Sequence, residues 1–132
     1  MVRAHFILYV SDQVRSAAFY ASVLGVAPSL NVPGMTEFEL DGGAVLGLMP
    51  EAGIRRLLGP ALPDMTPCHG IPRAELYLVS DDARPFHERA LAAGAKELSA
   101  VAPRDWGHLA GYSLDPDGHV IAFAQVEADA AG

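Results

Sequence analysis

Apolar runs alternate between two kinds of face. In the first, Ala4 to Val10, the positions Phe6, Leu8 and Val10 are uniformly apolar, while His5, Ile7 and Tyr9 are mixed. The run is rich in β-branched and aromatic residues and predicts a strand. Ser11-Asp12 then offers a helix cap, Gln13 to Leu24 reads as a helix, and Gly25 ends it. Extended segments are predicted near Ser29 to Val32, Met35 to Leu40 and Ala44 to Met49, with Asp41-Gly42-Gly43 as a hairpin turn between the last two.

The second half repeats the order. A strand at Glu75 to Val79 leads through Ser80-Asp81-Asp82 to a helix at Ala83 to Ala93, closed by Gly94. Pro85 lies in the first turn of that helix, where its missing donor costs little. Strands are predicted near Glu97 to Val101, Leu109 to Leu114 and His119 to Val126, the last two joined by the turn Asp115-Pro116-Asp117-Gly118. Laid over one another, the halves keep step. His5 and Asp12 fall on Glu75 and Asp82, and Leu40, Gly43, Val45, Leu46 and Leu48 fall on Leu114, Gly118, Val120, Ile121 and Phe123. Each half reads β-α-β-β-β, the mark of a duplication.

The expected organisation is a single domain over 1–132, with a first repeat at 1–50, a linker at 51–72, a second repeat at 73–127 and a tail at 128–132. The linker is rich in Pro and Gly, with one short helical stretch around Gly53 to Leu58. At about twenty residues it is long for a compact domain, and it is a candidate cover for a cleft.

Composition narrows the function classes. With 51% hydrophobic and 19% charged residues the 132-residue chain is globular. A net charge of −7 and scattered basic residues argue against nucleic acid, which needs clustered Lys and Arg; the acidic balance weakly favours a cationic ligand. Cys68 is the single cysteine, so neither an intrachain disulfide nor a cysteine zinc cluster is expected. Cys68 adjoins His69 in the linker, with no third partner for a catalytic thiol visible in the sequence. No segment approaches the length of a membrane span, and the start has no leader-like apolar stretch, so a cytoplasmic protein is expected.

The duplicated pattern resembles the glyoxalase, bleomycin-resistance and extradiol-dioxygenase superfamily, the vicinal oxygen chelate proteins. The residues that carry the resemblance are His5-Phe6-Ile7-Leu8-Tyr9-Val10-Ser11-Asp12, Phe19-Tyr20 with Val23-Leu24-Gly25, and Asp115-Pro116-Asp117-Gly118-His119. The resemblance implies an α+β fold of two tandem βαβββ repeats, with curved mixed sheets around a cleft and helices on the outer faces. In metal-dependent relatives the first and last strands of each repeat supply His, Gln or Glu ligands. Carried over by motif, those positions are His5, Gly47, Glu75 and Ala122.

Glycine and alanine cannot donate an electron pair from a side chain, whereas a catalytic divalent site normally needs three protein ligands. A third ligand would have to come from His69, His108 or His119 on loops or turns. The expectation is therefore no metal and no cofactor, with Gly47 and Ala122 leaving an uncharged hollow. Its lining would be His5, Ile7, Tyr9, Gly47, Met49, Glu75, Tyr77, Trp106, Tyr112 and Ala122, with Phe38 as a further edge. Tyr9 and Tyr77 stand at nearly equivalent places in the repeat. Glu75 reads as a cleft carboxylate that burial would force into a pairing with His5, Arg73 or Arg104, or else as one facing open water. His5 is equally readable as an ordinary hydrogen-bonded strand residue.

Three functions fit this reading. The first is a metal-free binder of a small organic ligand, aromatic ones included, as in bleomycin-resistance relatives. The second is a metal-independent lyase or isomerase with Glu75 or His5 as general base. The third is a divalent-metal-dependent lyase or dioxygenase. A homodimer is expected by analogy, with neither a nucleic acid nor a membrane as partner.

Overall fold

A computed structural model describes residues 2–68 and 70–127. The chain forms two compact units, 1–65 and 66–132, which divide inside the segment read as a linker. Each unit carries one βαβββ repeat.

In the first unit, strand β1 (His5–Val10) is followed by helix α1 (Gln13–Leu24) and strands β2 (Leu30–Val32), β3 (Met35–Glu39) and β4 (Val45–Pro50). The helix begins where Asp12 accepts a hydrogen bond from the Arg15 amide at 3.1 Å. It ends at Gly25, whose φ of 72° is the left-handed conformation that favours glycine there. The sheet order is β1-β4-β3-β2, with β1 parallel to β4 and the other pairs antiparallel. Asp41–Gly43 forms a short turn between β3 and β4, kinked at Gly42 with its left-handed φ of 85° and closed by the Leu40 amide on the Ala44 carbonyl at 2.8 Å.

Helix α1 packs on β3 and β4. Its Phe19, Tyr20 and Val23 are buried, as are Val10, Phe38, Leu46 and Leu48 of the sheet. Cross-strand partners share a face, and Phe6, Leu46 and Phe38 stand in one row. Phe38 therefore belongs to the face opposite His5 and Gly47, and the expectation that it edges a cleft is corrected. Helix α2 (Glu51–Leu58) begins directly after β4 and packs on β1 and β4 through a buried Ile54. Part of the predicted linker is thus integral to the first unit.

In the second unit, β5 (Glu75–Val79), α3 (Ala83–Ala92), β6 (Lys96–Pro103), β7 (His108–Leu114) and β8 (Val120–Val126) repeat the pattern. The order β5-β8-β7-β6 matches that of the first sheet, with β5 parallel to β8. The start of α3 departs from its counterpart. Asp82 makes no side-chain cap, and the Ala83 amide donates instead to Oε1 of Gln125 at 2.8 Å. Helix α3 packs on β6, β7 and β8, with Phe86 stacked on Phe123 at 5.4 Å between ring centroids. The fold is α+β: two mixed four-stranded sheets, each with a helix of its own repeat on one face. No described helix is long and apolar enough to cross a membrane.

Candidate functional site

The residues singled out by sequence fall into one set per unit. On the first sheet, His5, Ile7 and Tyr9 share a face with Val45, Gly47 and Met49, their cross-strand partners. His5 is exposed, and its Nδ1 lies 3.5 Å from Oε2 of Glu37, the residue paired with Gly47 on β3. The histidine thus has a carboxylate neighbour that the sequence reading missed. Gly47 is buried, and a Cβ built on it would meet Ile7 Cγ1 at 3.2 Å and the Met35 sulfur at 3.3 Å. The hollow expected at Gly47 is therefore closed by its neighbours.

On the second sheet, Tyr77, Ala122 and Tyr112 form one row across β5, β8 and β7. The register makes Tyr77 the counterpart of Ile7, because both face the equivalent small residues Ala122 and Gly47. Tyr9 instead matches Val79, so the two tyrosines are not repeat partners. Ala110, Ala122 and Ala124 lie on this face and are fully buried, so the hollow expected at Ala122 is closed as well.

The polar groups around those alanines are organised. Trp106 Nε1 donates to the Tyr77 hydroxyl at 2.9 Å, and Tyr77 lies 2.6 Å from His108 Nδ1. The Arg104 guanidinium donates to Ser99 Oγ and to the carbonyls of Ala100 and Ala110, and its charge lies 5.2 Å from the centre of the Tyr112 ring. Arg104 is thus committed to its own hairpin.

Glu75 is exposed at the start of β5. Of the alternatives for it, open water is the outcome, and the exposed carboxylate carries no burial cost that a partner would have to offset. Glu75 and Tyr112 line an open groove of about 460 Å³ together with Pro72, Arg73, Ala74 and Val120. Burial, the Glu75 charge and Tyr77 all hold the Tyr112 phenol above its ordinary pKa, while Arg104 pulls the other way. Glu75→Gln is accordingly expected to let Tyr112 ionise at a lower pH, followed by NMR of isotope-labelled tyrosine. An unchanged or higher ionisation pH would contradict the closeness of the two side chains.

A divalent metal fits these residues poorly. Among the described residues no three His, Cys, Asp or Glu side chains are grouped to hold an ion. His108 Nδ1 is engaged with Tyr77, and His69 lies outside the described residues.

The sequence matches the Glyoxalase/Bleomycin resistance protein/Dioxygenase superfamily over residues 3–123. The chain belongs to that superfamily. Among solved structures of the glyoxalase superfamily, a glyoxalase-related enzyme from Fulvimarina pelagi is similar at a TM-score of 0.79 and 27% identity, over 95% of this chain and 88% of that one. A glyoxalase/bleomycin resistance protein/dioxygenase from Nocardioides has a TM-score of 0.70 and 26% identity, over 97% and 85% of the two chains. A glyoxalase/bleomycin resistance protein/dioxygenase family enzyme from Burkholderia phytofirmans PsJN has a TM-score of 0.77 at 20% identity, over 93% and 97%, and speaks for the fold alone. None of the curated proteins matches the sequence.

Glu37 was within reach of the sequence, because a hairpin turning at Asp41–Gly43 sets Glu37 opposite Gly47. Arg73 was weighed from the sequence only as an ion-pair partner of Glu75, not as a groove residue. It lies just before β5 and enters the groove through the path of the chain there.

Proposed function

We propose that this glyoxalase-superfamily protein binds a small organic ligand with an aromatic or otherwise planar part on the second unit, without using a metal. The observation that carries this reading is the groove beside Tyr112, which offers a cation at Arg73, an anion at Glu75 and apolar walls at Pro72, Ala74 and Val120. Apolar surface with a few placed polar groups is the usual make-up of a small-molecule site. Trp106, 57% exposed, presents an indole for stacking near the same face.

Titration with a panel of aromatic acids, amines and alcohols, read by Trp106 fluorescence in the presence of chelator, tests the proposal. Binding that saturates at one ligand per chain is expected, weakened about tenfold or more by Tyr112→Ala, as for loss of a stacked contact with its hydrogen bond. Binding that chelator abolishes, or that Tyr112→Ala leaves unchanged, would refute it. The reading includes a homodimer, in keeping with β1 and β5 as sheet edges that expose Phe6 and Val79.

A second reading has its own support. His5 beside Glu37 at 3.5 Å has the arrangement of a general base oriented by a carboxylate. It predicts turnover of a carbonyl compound that is lost in His5→Gln and reduced in Glu37→Gln. Glu75 is the weaker candidate for that role, because it lacks an apolar enclosure.

A further inference from the structure

Arg73 and Glu75 are opposite charges lining one groove, separated in the chain by Ala74 alone. Positions two apart stand at most about 7 Å from each other between Cα atoms, so both charges act on the same bound molecule. Both residues are exposed, and among the described residues neither side chain is ion-paired with the other or with a third group. Their places are nevertheless set by the fold. Glu75 is fixed in the ladder opposite Val120, whose other neighbour in that row is Leu114. Pro72 precedes Arg73, and a Cβ built on Gly118 would stand 3.9 Å from the Gly70 Cα, so the chain entering β5 runs beside the turn between β7 and β8.

A ligand with a single charge gains little here. An anion drawn to Arg73 is repelled by Glu75 over a similar distance, and a cation drawn to Glu75 is repelled by Arg73. Both distances lie within the screening length of roughly 8 Å at physiological salt, so neither term is lost. A molecule that carries both charges on neighbouring atoms meets two attractions once it is aligned, and the reversed orientation is rejected by two repulsions.

We propose that the groove recognises a zwitterion, an α-amino acid with an aromatic side chain, with the carboxylate at Arg73, the ammonium at Glu75 and the ring against Tyr112 and Val120. This inference rests on the ligand site proposed above and names its substrate class. Tyr112 suits the task, because burial and the Glu75 charge keep its hydroxyl protonated, able to donate to a carboxylate or to accept from an ammonium. Arg104 is no second cation for the ligand, since its donors are held by Ser99, Ala100 and Ala110.

The test uses the full chain at neutral pH with phenylalanine, phenethylamine and hydrocinnamate, followed by calorimetry and by the NMR signals of isotope-labelled Tyr112. The amine lacks the carboxylate and the acid lacks the ammonium, while all three keep the phenyl ring and its chain. Phenylalanine should bind about fivefold or more tighter than either, the upper end for an ion pair at a water-facing site. The variants should separate the compounds by sign. Arg73→Gln should weaken phenylalanine and hydrocinnamate and strengthen phenethylamine, which no longer meets a cation. Glu75→Gln should weaken phenylalanine and phenethylamine and strengthen hydrocinnamate. Damage to the fold would weaken all three alike. If a compound with one charge or none binds as tightly as phenylalanine and with Tyr112 dependence, or if either variant shifts all three in the same direction, the inference is overturned and the ligand site stands. If neither these compounds nor the aromatic panel above moves the Tyr112 signals, the ligand site falls and the inference with it.

Discussion

Gly111→Ala is expected to destabilise the protein by about 1–3 kcal/mol, toward the upper end, as overpacking in a well-filled core does. Gly111 lies in β7, between β8 and β6, on the face covered by α3. A Cβ there would stand 2.7 Å from His87 Nδ1 and 2.8 Å from Val101 Cγ2. The backbone at Gly111 is not in the left-handed region, so conformational preference alone would make alanine an improvement. Sterics decide the sign. The His87 ring cannot step aside cheaply, being 4% exposed and held by Glu97 Oε2 at 2.8 Å. Its Nδ1 is already buried without a hydrogen-bond partner, so a shift that also strained the Glu97 contact would leave the imidazole with less still.

Gly47→Ala on the first sheet supplies the contrast. Its neighbours are the Ile7 side chain at 3.2 Å and the Met35 thioether at 3.3 Å, and a few tenths of an ångström suffice. A cost below about 1 kcal/mol is expected there. Urea unfolding midpoints measure both. A double variant that also carries His87→Ala should recover part of the Gly111→Ala cost. Equal stability of Gly111→Ala and the parent protein would show that the imidazole does not fill the notch left by the glycine.

What the sequence disclosed, and what it withheld, divides by the range of the interaction. Helix α1 was legible to the residue because its cap, its body and Gly25 are contiguous signals. The repeat of β-α-β-β-β was legible too, and the two sheets share one strand order because each half encodes the same crossover and hairpins. The cap of α3 was not legible: its acceptor is Gln125, which β8 delivers from the far end of the unit. Phe38 was misplaced because aromatic character says nothing about face, whereas its register opposite Leu46 does. The expected hollow failed for a related reason. A small residue leaves space only if its neighbours stay away, and Ile7 and Met35 approach Gly47 from two different strands. Likewise His108 was weighed only as a metal ligand, since nothing local in Trp106-Gly107-His108 announces a tyrosine from β5.

Asp115→Ala should cost roughly 2–3 kcal/mol, because the buried carboxylate accepts two hydrogen bonds and bonds to a charged group carry about 1.5–3 kcal/mol each before relaxation. Asp115 Oδ1 takes the amides of Asp117 and His119, both at 2.9 Å. Around it the Asp115 amide donates to the His119 carbonyl at 2.9 Å, and the Gly118 amide returns to the Asp115 carbonyl at 3.0 Å. The side chain is thus the hub of the turn that fixes the register of β7 against β8. That register sets Tyr112 opposite Ala122 and brings Val120 into the groove, so the loss reaches the candidate site. Asp115→Asn keeps an acceptor oxygen without the charge and should recover about half of the loss. Asp41→Ala in the corresponding turn of the first repeat is the control. Asp41 is exposed, and that turn is closed by backbone, so a change within about 0.5 kcal/mol is expected. Denaturant titration gives the energies, and hydrogen exchange at the His119 amide reports the hub directly, with faster exchange in Asp115→Ala than in Asp115→Asn. Equal effects of Asp115→Ala and Asp41→Ala would mean that backbone bonding alone holds both turns.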